Sequence, residues 1–221
     1  MPRPHQHAWN VSVKEAKAIQ ERLRDAISEE DQLTMVDRVA GVDVSFNKPL
    51  NLARAAAAVL SYPELELLEQ TSAELPIQFP YIPGLLSFRE APSALEALAK
   101  LSIPPKLILC DGHGLAHPRR FGLACHIGLL VDIPTIGVAK RRLIGRHRPV
   151  SNKRGSWEPI LHEDQIIGAA LRTRPETNPI YVSIGHRVSL ETAIIYVLGC
   201  TTKFRIPETT RHAHRLASIK P

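Results

Sequence analysis

Three carboxylates stand where a folded chain could bring them to one point. Asp43 lies in an alternating segment, Gly41-Val42-Asp43-Val44-Ser45-Phe46, and shares a face with two small residues. Asp111 directly follows the apolar run Leu107-Ile108-Leu109-Cys110, which places it at the tip of a buried strand. Glu90 sits between them in a helical segment that opens near Leu85. Hard divalent cations such as Mg²⁺ are held by one or a few carboxylates, with water and phosphate oxygens completing the shell. Two such ions can activate a water and stabilise the leaving oxygen of a phosphodiester. Each residue alone has a simpler reading: Asp111-Gly112 as a turn, Asp43 as a solvated face, Glu90 as a helix surface charge. It is the conjunction of three that points to metal chemistry.

The neighbouring residues add proton carriers and phosphate contacts. His117, in the polar loop after Asp111, and His214, close to the end of the sequence, are candidates for proton transfer or for contacting phosphate. Lys140 ends the next strand and could meet a phosphate or leaving group, or simply open the basic stretch that runs to Arg154. Tyr81 and Ile82 are held between Pro80 and Pro83, which stiffen the backbone. A rigid loop presenting an aromatic and an isoleucine suits a wedge that opens a base stack, although the residues alone favour the simpler reading in which the tyrosine packs on the core. Basic residues exceed acidic ones by six, which fits a polyanionic partner. Arg119, Arg120 and the stretch from Lys140 to Arg154 are the expected phosphate contacts.

The elements that must position these residues follow from periodicity. Ser12 and Glu15 form a capping box for a helix over 13–28. Strands are expected over 39–46, 53–60 and 66–71, joined by connections so short that they imply an antiparallel meander. A helix from Leu85 to Glu90 is continued from a new cap at Ser93, with Glu96, through Leu101. Then come the strand 107–110, a helix over 121–131 and a strand over 135–140. A hairpin of 166–172 and 180–184 around Pro175 follows, with helices from Ser189 to Gly199 and from Pro207 through His214. The order predicts a single α/β domain over 1–221. Its core is a five-stranded mixed sheet, three antiparallel strands plus two parallel crossovers, flanked by helices and extended by a C-terminal hairpin and helices. That is the order of the ribonuclease H-like fold. Cys110, Cys125 and Cys200 are widely spaced in apolar segments, so reduced buried thiols without disulfide partners are expected, as in a cytoplasmic protein. No apolar run is long enough to span a bilayer.

Several stretches together carry a resemblance. They are GVDVSF at 41–46, PYIPGLLSFRE at 80–90, DGHGLAHPRRFGLACHIG at 111–128 and PTIGVAK at 134–140, with YVSIGHR at 181–187 and the tail from Arg205-Ile206-Pro207 to His214. The chain closely resembles the endonuclease V family, the deoxyinosine 3′ endonucleases, over nearly its whole length. The resemblance implies Mg²⁺ dependence, with Mn²⁺ able to substitute, and DNA repair by cleavage of the second phosphodiester bond 3′ to a hypoxanthine nucleotide. It implies that Asp43, Glu90 and Asp111 bind metal, with His214 beside them. Tyr81 with Pro80, Ile82 and Pro83 would form the wedge. Gly84, Leu86 and Gly112 would approach the extruded base, and His117 and Lys140 would be site residues. Thr209 departs from the pattern, standing where family members often have a second proline. Inosine-containing DNA is the expected partner of a monomeric enzyme. An inosine-specific ribonuclease is the alternative, and a non-catalytic nucleic-acid-binding protein is the rival from another class.

Overall fold

The computed structural model describes residues 5–218. Helix α1 (Val13–Arg24) starts at the expected capping box, where Glu15 and Ser12 bond each other's main-chain N–H groups, and ends short of Ser28 with Asp25 as its cap. The meander follows as β1 (Arg38–Asn47), β2 (Leu52–Ser61) and β3 (Leu67–Pro76). Alanines are poor strand formers, yet β2 carries five of them at positions 53 and 55–58. Their small side chains let α2 (Leu86–Ala99) press Ala91, Ala94 and Ala97 onto Ala55, Ala57 and Val59.

Helix α2 is one helix, not two. Pro92 lies inside it, and Ser93 does not cap a new segment but bonds the Glu90 carbonyl behind it at 3.0 Å. Continuous alanine packing on β2 holds the helix together across the missing N–H of Pro92.

Strand β4 (Leu107–Cys110), helix α3 (Leu123–Val131) and strand β5 (Thr135–Ala139) complete the two parallel crossovers. Helix α3 is buried along nearly all of its length. Strand β4 lies parallel to β1, pairing Val42 with Cys110, and parallel to β5 on its other side.

The sheet does not stop at five strands. Strands β6 (Trp157–His162), β7 (Gln165–Leu171) and β8 (Ile180–His186) extend it to eight, in the order β3-β2-β1-β4-β5-β8-β7-β6. The expected hairpin exists as β7–β8, but β8 pairs antiparallel with β5 and so covers what would have been an open edge. Strand β6 escaped sequence reading because its turn to β7 is Glu163-Asp164, both left-handed, without the glycine that usually marks such a turn. Helices α4 (Leu190–Gly199) and α5 (Glu208–Ala217) close the chain, and α5 begins directly after Pro207 despite Thr209. Cys110, Cys125 and Cys200 are free and buried. No helix among the described residues is long and apolar enough to cross a membrane.

Candidate active site

One face of β1 builds the centre of the site. Gly41, Asp43 and Ser45 alternate onto that face, and each meets α5. A side chain at Gly41 would collide with the Thr209 main chain at 2.1 Å, so the glycine lets the helix come down onto the strand. Ser45 Oγ donates to the Ala217 carbonyl at 2.5 Å. Between these two contacts His214 Nδ1 reaches Asp43 Oδ2, also at 2.5 Å. The small residues flanking Asp43 are therefore what brings a C-terminal histidine to it.

Parallel pairing supplies the second carboxylate. The Asp111 amide donates to the Val42 carbonyl at 2.9 Å, which sets Asp111, just past the carboxyl end of β4, beside Asp43 in the middle of β1. Lys140, just past β5, closes on Asp111 Oδ2 at 2.5 Å. One atom from each of Asp43, Asp111 and His214 lies within 4.8 Å of the others, a spacing that could hold a metal ion.

Glu90 lies outside that trio. It is buried on α2, and its carboxyl is held well above the ordinary range by burial, then by the charges of Asp43 and Asp111. Burial also raises the Asp43 carboxyl, with Asp111 adding to the effect and the His214 hydrogen bond opposing it. The donors suit a hard or borderline dication, and positive charge placed among them would relieve the repulsion that Asp43 and Glu90 now carry.

A cavity of about 180 Å³ opens beside Asp111, at Gly112. Tyr81, Ile82, Pro83, Gly84, Leu86, Gly112 and His117 all line it; Pro80 does not. Tyr81 is 69% exposed, which removes the reading in which its ring packs on the core. His117 stands in this cavity, away from the trio, with both ring nitrogens engaged. Its Nε2 donates to the Gly84 carbonyl at 2.9 Å, and its Nδ1 accepts from the Arg119 amide at 3.2 Å. That pattern is the neutral tautomer. Burial, then the Arg119 charge, pushes the ring down to about 4. His117 thus positions the Gly84 turn, which has φ of +78°.

Sequence reasoning did not find the brace behind that turn. The Arg119 guanidinium also bonds the Gly84 carbonyl, and its Nε donates to Gln20 Oε1 at 2.6 Å. Gln20 in turn donates to the Phe121 carbonyl at 3.2 Å. The signal was present: Gln20 falls on the same buried stripe of α1 as Ala16 and Leu23, where an amide needs partners. Arg120 is likewise spent on protein acceptors, the carbonyls of His117 and His162. Ser87, His113 and Leu123, inside the quoted motifs but not singled out there, and Leu143 of the basic stretch join the lining.

A three-strand meander continued by parallel crossovers, with one carboxylate in mid-β1 and its partner at the tip of β4, defines a ribonuclease H-like α/β protein with an acidic site. The profile of the family described as Endonuclease V matches residues 21–215. An Endonuclease V from Rippkaea orientalis is 57% identical over 209 residues, 95% of this chain and 91% of that one. The crystal structure of Endonuclease V from Streptomyces avermitilis has a TM-score of 0.91 at 44% identity, covering 95% of this chain and 93% of the other. That of Ciona intestinalis Endonuclease V, in complex with a 23mer DNA containing an inosine followed by a ribo-adenosine, has a TM-score of 0.82 at 33% identity and covers 94% and 97%. The chain belongs to the Endonuclease V family of nucleases.

Proposed function

We propose that this chain is a Mg²⁺-dependent repair endonuclease, with Mn²⁺ able to substitute, that recognises deoxyinosine in DNA and hydrolyses the second phosphodiester bond on its 3′ side. The observation that carries the reading is the juxtaposition at Asp111. Asp111 belongs to the trio with Asp43 and His214, and its neighbour Gly112 lines a cavity edged by an exposed aromatic.

Asp43 and Asp111 would hold the cation, with His214 beside them and Glu90 buried behind. The bound ion would supply Lewis-acid activation of the phosphodiester and of a water. Hydrolysis joins the water oxygen to phosphorus and breaks the bond from phosphorus to the 3′ oxygen, which keeps the electron pair and takes a proton. The phosphate stays on the downstream strand. Lys140, already at Asp111, stands where a cation can neutralise phosphate charge.

Recognition falls to the cavity. Helix α2 opens at Leu86, and its N-cap residue Leu85 offers no side-chain acceptor, so first-turn N–H groups remain available toward the lining. Hypoxanthine presents an O6 acceptor where adenine presents an amino donor, and a donor facing donors costs about 1–3 kcal/mol. Gly112 leaves that wall without a Cβ, and exposed Tyr81 is the wedge that fills the space of an extruded base. The reading takes the chain as one nuclease domain that acts as a monomer in the cytoplasm, with inosine-containing nucleic acid as its partner.

Matched DNA and RNA strands carrying a single inosine or adenosine, with cut positions mapped with and without Mg²⁺, test it. Cutting of inosine DNA one nucleotide beyond the lesion's own 3′ phosphate, only with metal, is expected. The Ciona intestinalis complex has a ribo-adenosine after its inosine, which motivates the RNA arm; preferential cutting of RNA would replace the DNA assignment with a ribonuclease. Metal-independent binding without any cutting would replace it with a non-catalytic binder.

A further inference from the structure

A second cavity, of about 370 Å³, reaches the carboxylates through Lys140 and His214 and shares no lining residue with the Tyr81 cavity. Lys140, Phe204, Arg205, Arg211 and His214 are among its walls. Two of these, Lys140 and His214, are the residues that contact Asp111 and Asp43. The two cavities therefore share the carboxylate centre, one through Gly112 and the other through Lys140 and His214.

The far wall is an aromatic plane held in place. Phe204 is a partly exposed ring, and the Arg211 guanidinium carbon sits 3.3 Å from its centroid, held there in turn by Glu208 at 2.6 Å. Arg205 frames the cavity and is anchored to the main chain through Nε and Nη2. Its donors go to the carbonyls of Asn178 at 2.7 Å and of Pro179 and Lys140 at 2.9 Å each. By holding the Lys140 carbonyl, Arg205 fixes the main chain from which the Lys140 ammonium projects. A cationic rim at the carboxylates thus leads to an exposed aromatic already stacked with a guanidinium and approached by Lys203, the pairing of charge and stacking surface that single-stranded nucleic acid uses.

We propose that this cavity binds the nucleotide on the 3′ side of the cut, its 5′ phosphate toward Lys140 and His214 and its base against Phe204. The proposal rests on the endonuclease reading above. A strand whose inosine occupies the Tyr81 cavity runs past Asp43 and Asp111, and the next walled space it meets is this one. The enzyme then grips the strand on both sides of the bond it cuts, and the downstream grip carries no base specificity because every base has a face to stack.

The test is equilibrium binding by fluorescence anisotropy of the full-length protein, with a chelator present so that no strand is cut. Inosine strands that end at the cut, that end there in a 3′ phosphate, or that extend two nucleotides beyond it are compared. The extended strand should bind on the order of tenfold more tightly than the strand ending at the cut. Phe204→Ala and the milder Phe204→Leu should lose most of that gain while binding the strand ending at the cut as before, and Phe204→Trp should keep it. Equal weakening of all strands, or an undiminished gain in Phe204→Ala, overturns the proposal, as does a gain supplied entirely by the 3′ phosphate. Adenine strands ending at the cut separate this from the parent reading. Loss of inosine preference there, with the extension gain intact, would sink the base pocket and leave the downstream site standing.

Discussion

The two sides of Asp111 are built from different materials. On the Gly112 side the walls are mostly apolar or main chain and carry no lysine, arginine, aspartate or glutamate, and the two imidazoles in the lining are held by main-chain groups, His117 by Gly84 and Arg119 and His113 by the Arg141 carbonyl. On the Lys140 side the walls carry Lys140, Arg205, Arg211 and His214 around a single aromatic. A neutral base is read by hydrogen bonds of fixed direction, so its pocket is best kept free of charges that would bind phosphate indiscriminately. A backbone phosphate is attracted by charge whatever its sequence, so its site can be cationic. The difference teaches that selectivity and strand grip occupy separate walls of one centre, which predicts that they can be damaged separately.

The largest effect should come from the centre that both sides share. Asp43→Ala or Asp111→Ala should lower cleavage on the order of a thousandfold or more, since the charge stabilisation of several kcal/mol that a bound ion supplies is lost. Substrate binding should be largely retained. Single-turnover cleavage at saturating Mg²⁺ measures this, and near-normal turnover in either variant would sink the assignment.

Next in size is the recognition side. His117→Ala removes one of the two groups on the Gly84 carbonyl and should weaken inosine binding about tenfold, with adenine strands little affected. The wild-type preference should also be flat from pH 8 to pH 5, because the His117 ring stays neutral down to about 4. A preference that titrates away near pH 6.5 would mean that the ring is not locked.

Tyr81→Ala should weaken binding to inosine-containing duplex by several-fold to tenfold, more than to undamaged duplex, without moving the cut. Equal loss on both duplexes would make Tyr81 a general contact and blur the division between the two walls.

The smallest effect is thermal. Glu90 has a raised carboxyl, so its favourable contribution is present below the unfolded value of 4.5 and is lost as pH rises through the folded value. In chelator, Tm should therefore carry a component that falls as pH rises above 4.5. Glu90→Gln should flatten that fall, and Mg²⁺ should reverse it in wild type but not in Asp43→Ala. Each kcal/mol recovered corresponds to roughly 2–4 °C in a chain of this size. A wild-type Tm indifferent to Mg²⁺ would argue against the metal site.

Much of this was legible in the chain itself. Alternation in β1, the four-residue apolar run of β4 and the short meander connections placed Asp43 within one strand and Asp111 at the tip of its neighbour. Those signals are local, a period of two and a loop length, and local signals survive in one dimension. Proline spacing likewise marked the loop that presents Tyr81. Tertiary structure alone decided the rest. Whether Ser93 starts a new helix depended on how closely Ala91, Ala94 and Ala97 could pack on β2. Whether the sheet closed at five strands or eight depended on β8 finding the free edge of β5. That His117 became a clamp rather than an acid was settled by main-chain groups at Gly84 and Arg119, one of them 33 residues away in sequence. The brace from Gln20 through Arg119 spans 99 residues. A buried polar side chain announces that it needs a partner, but the partner's identity is set by three-dimensional proximity, which no spacing along the chain encodes.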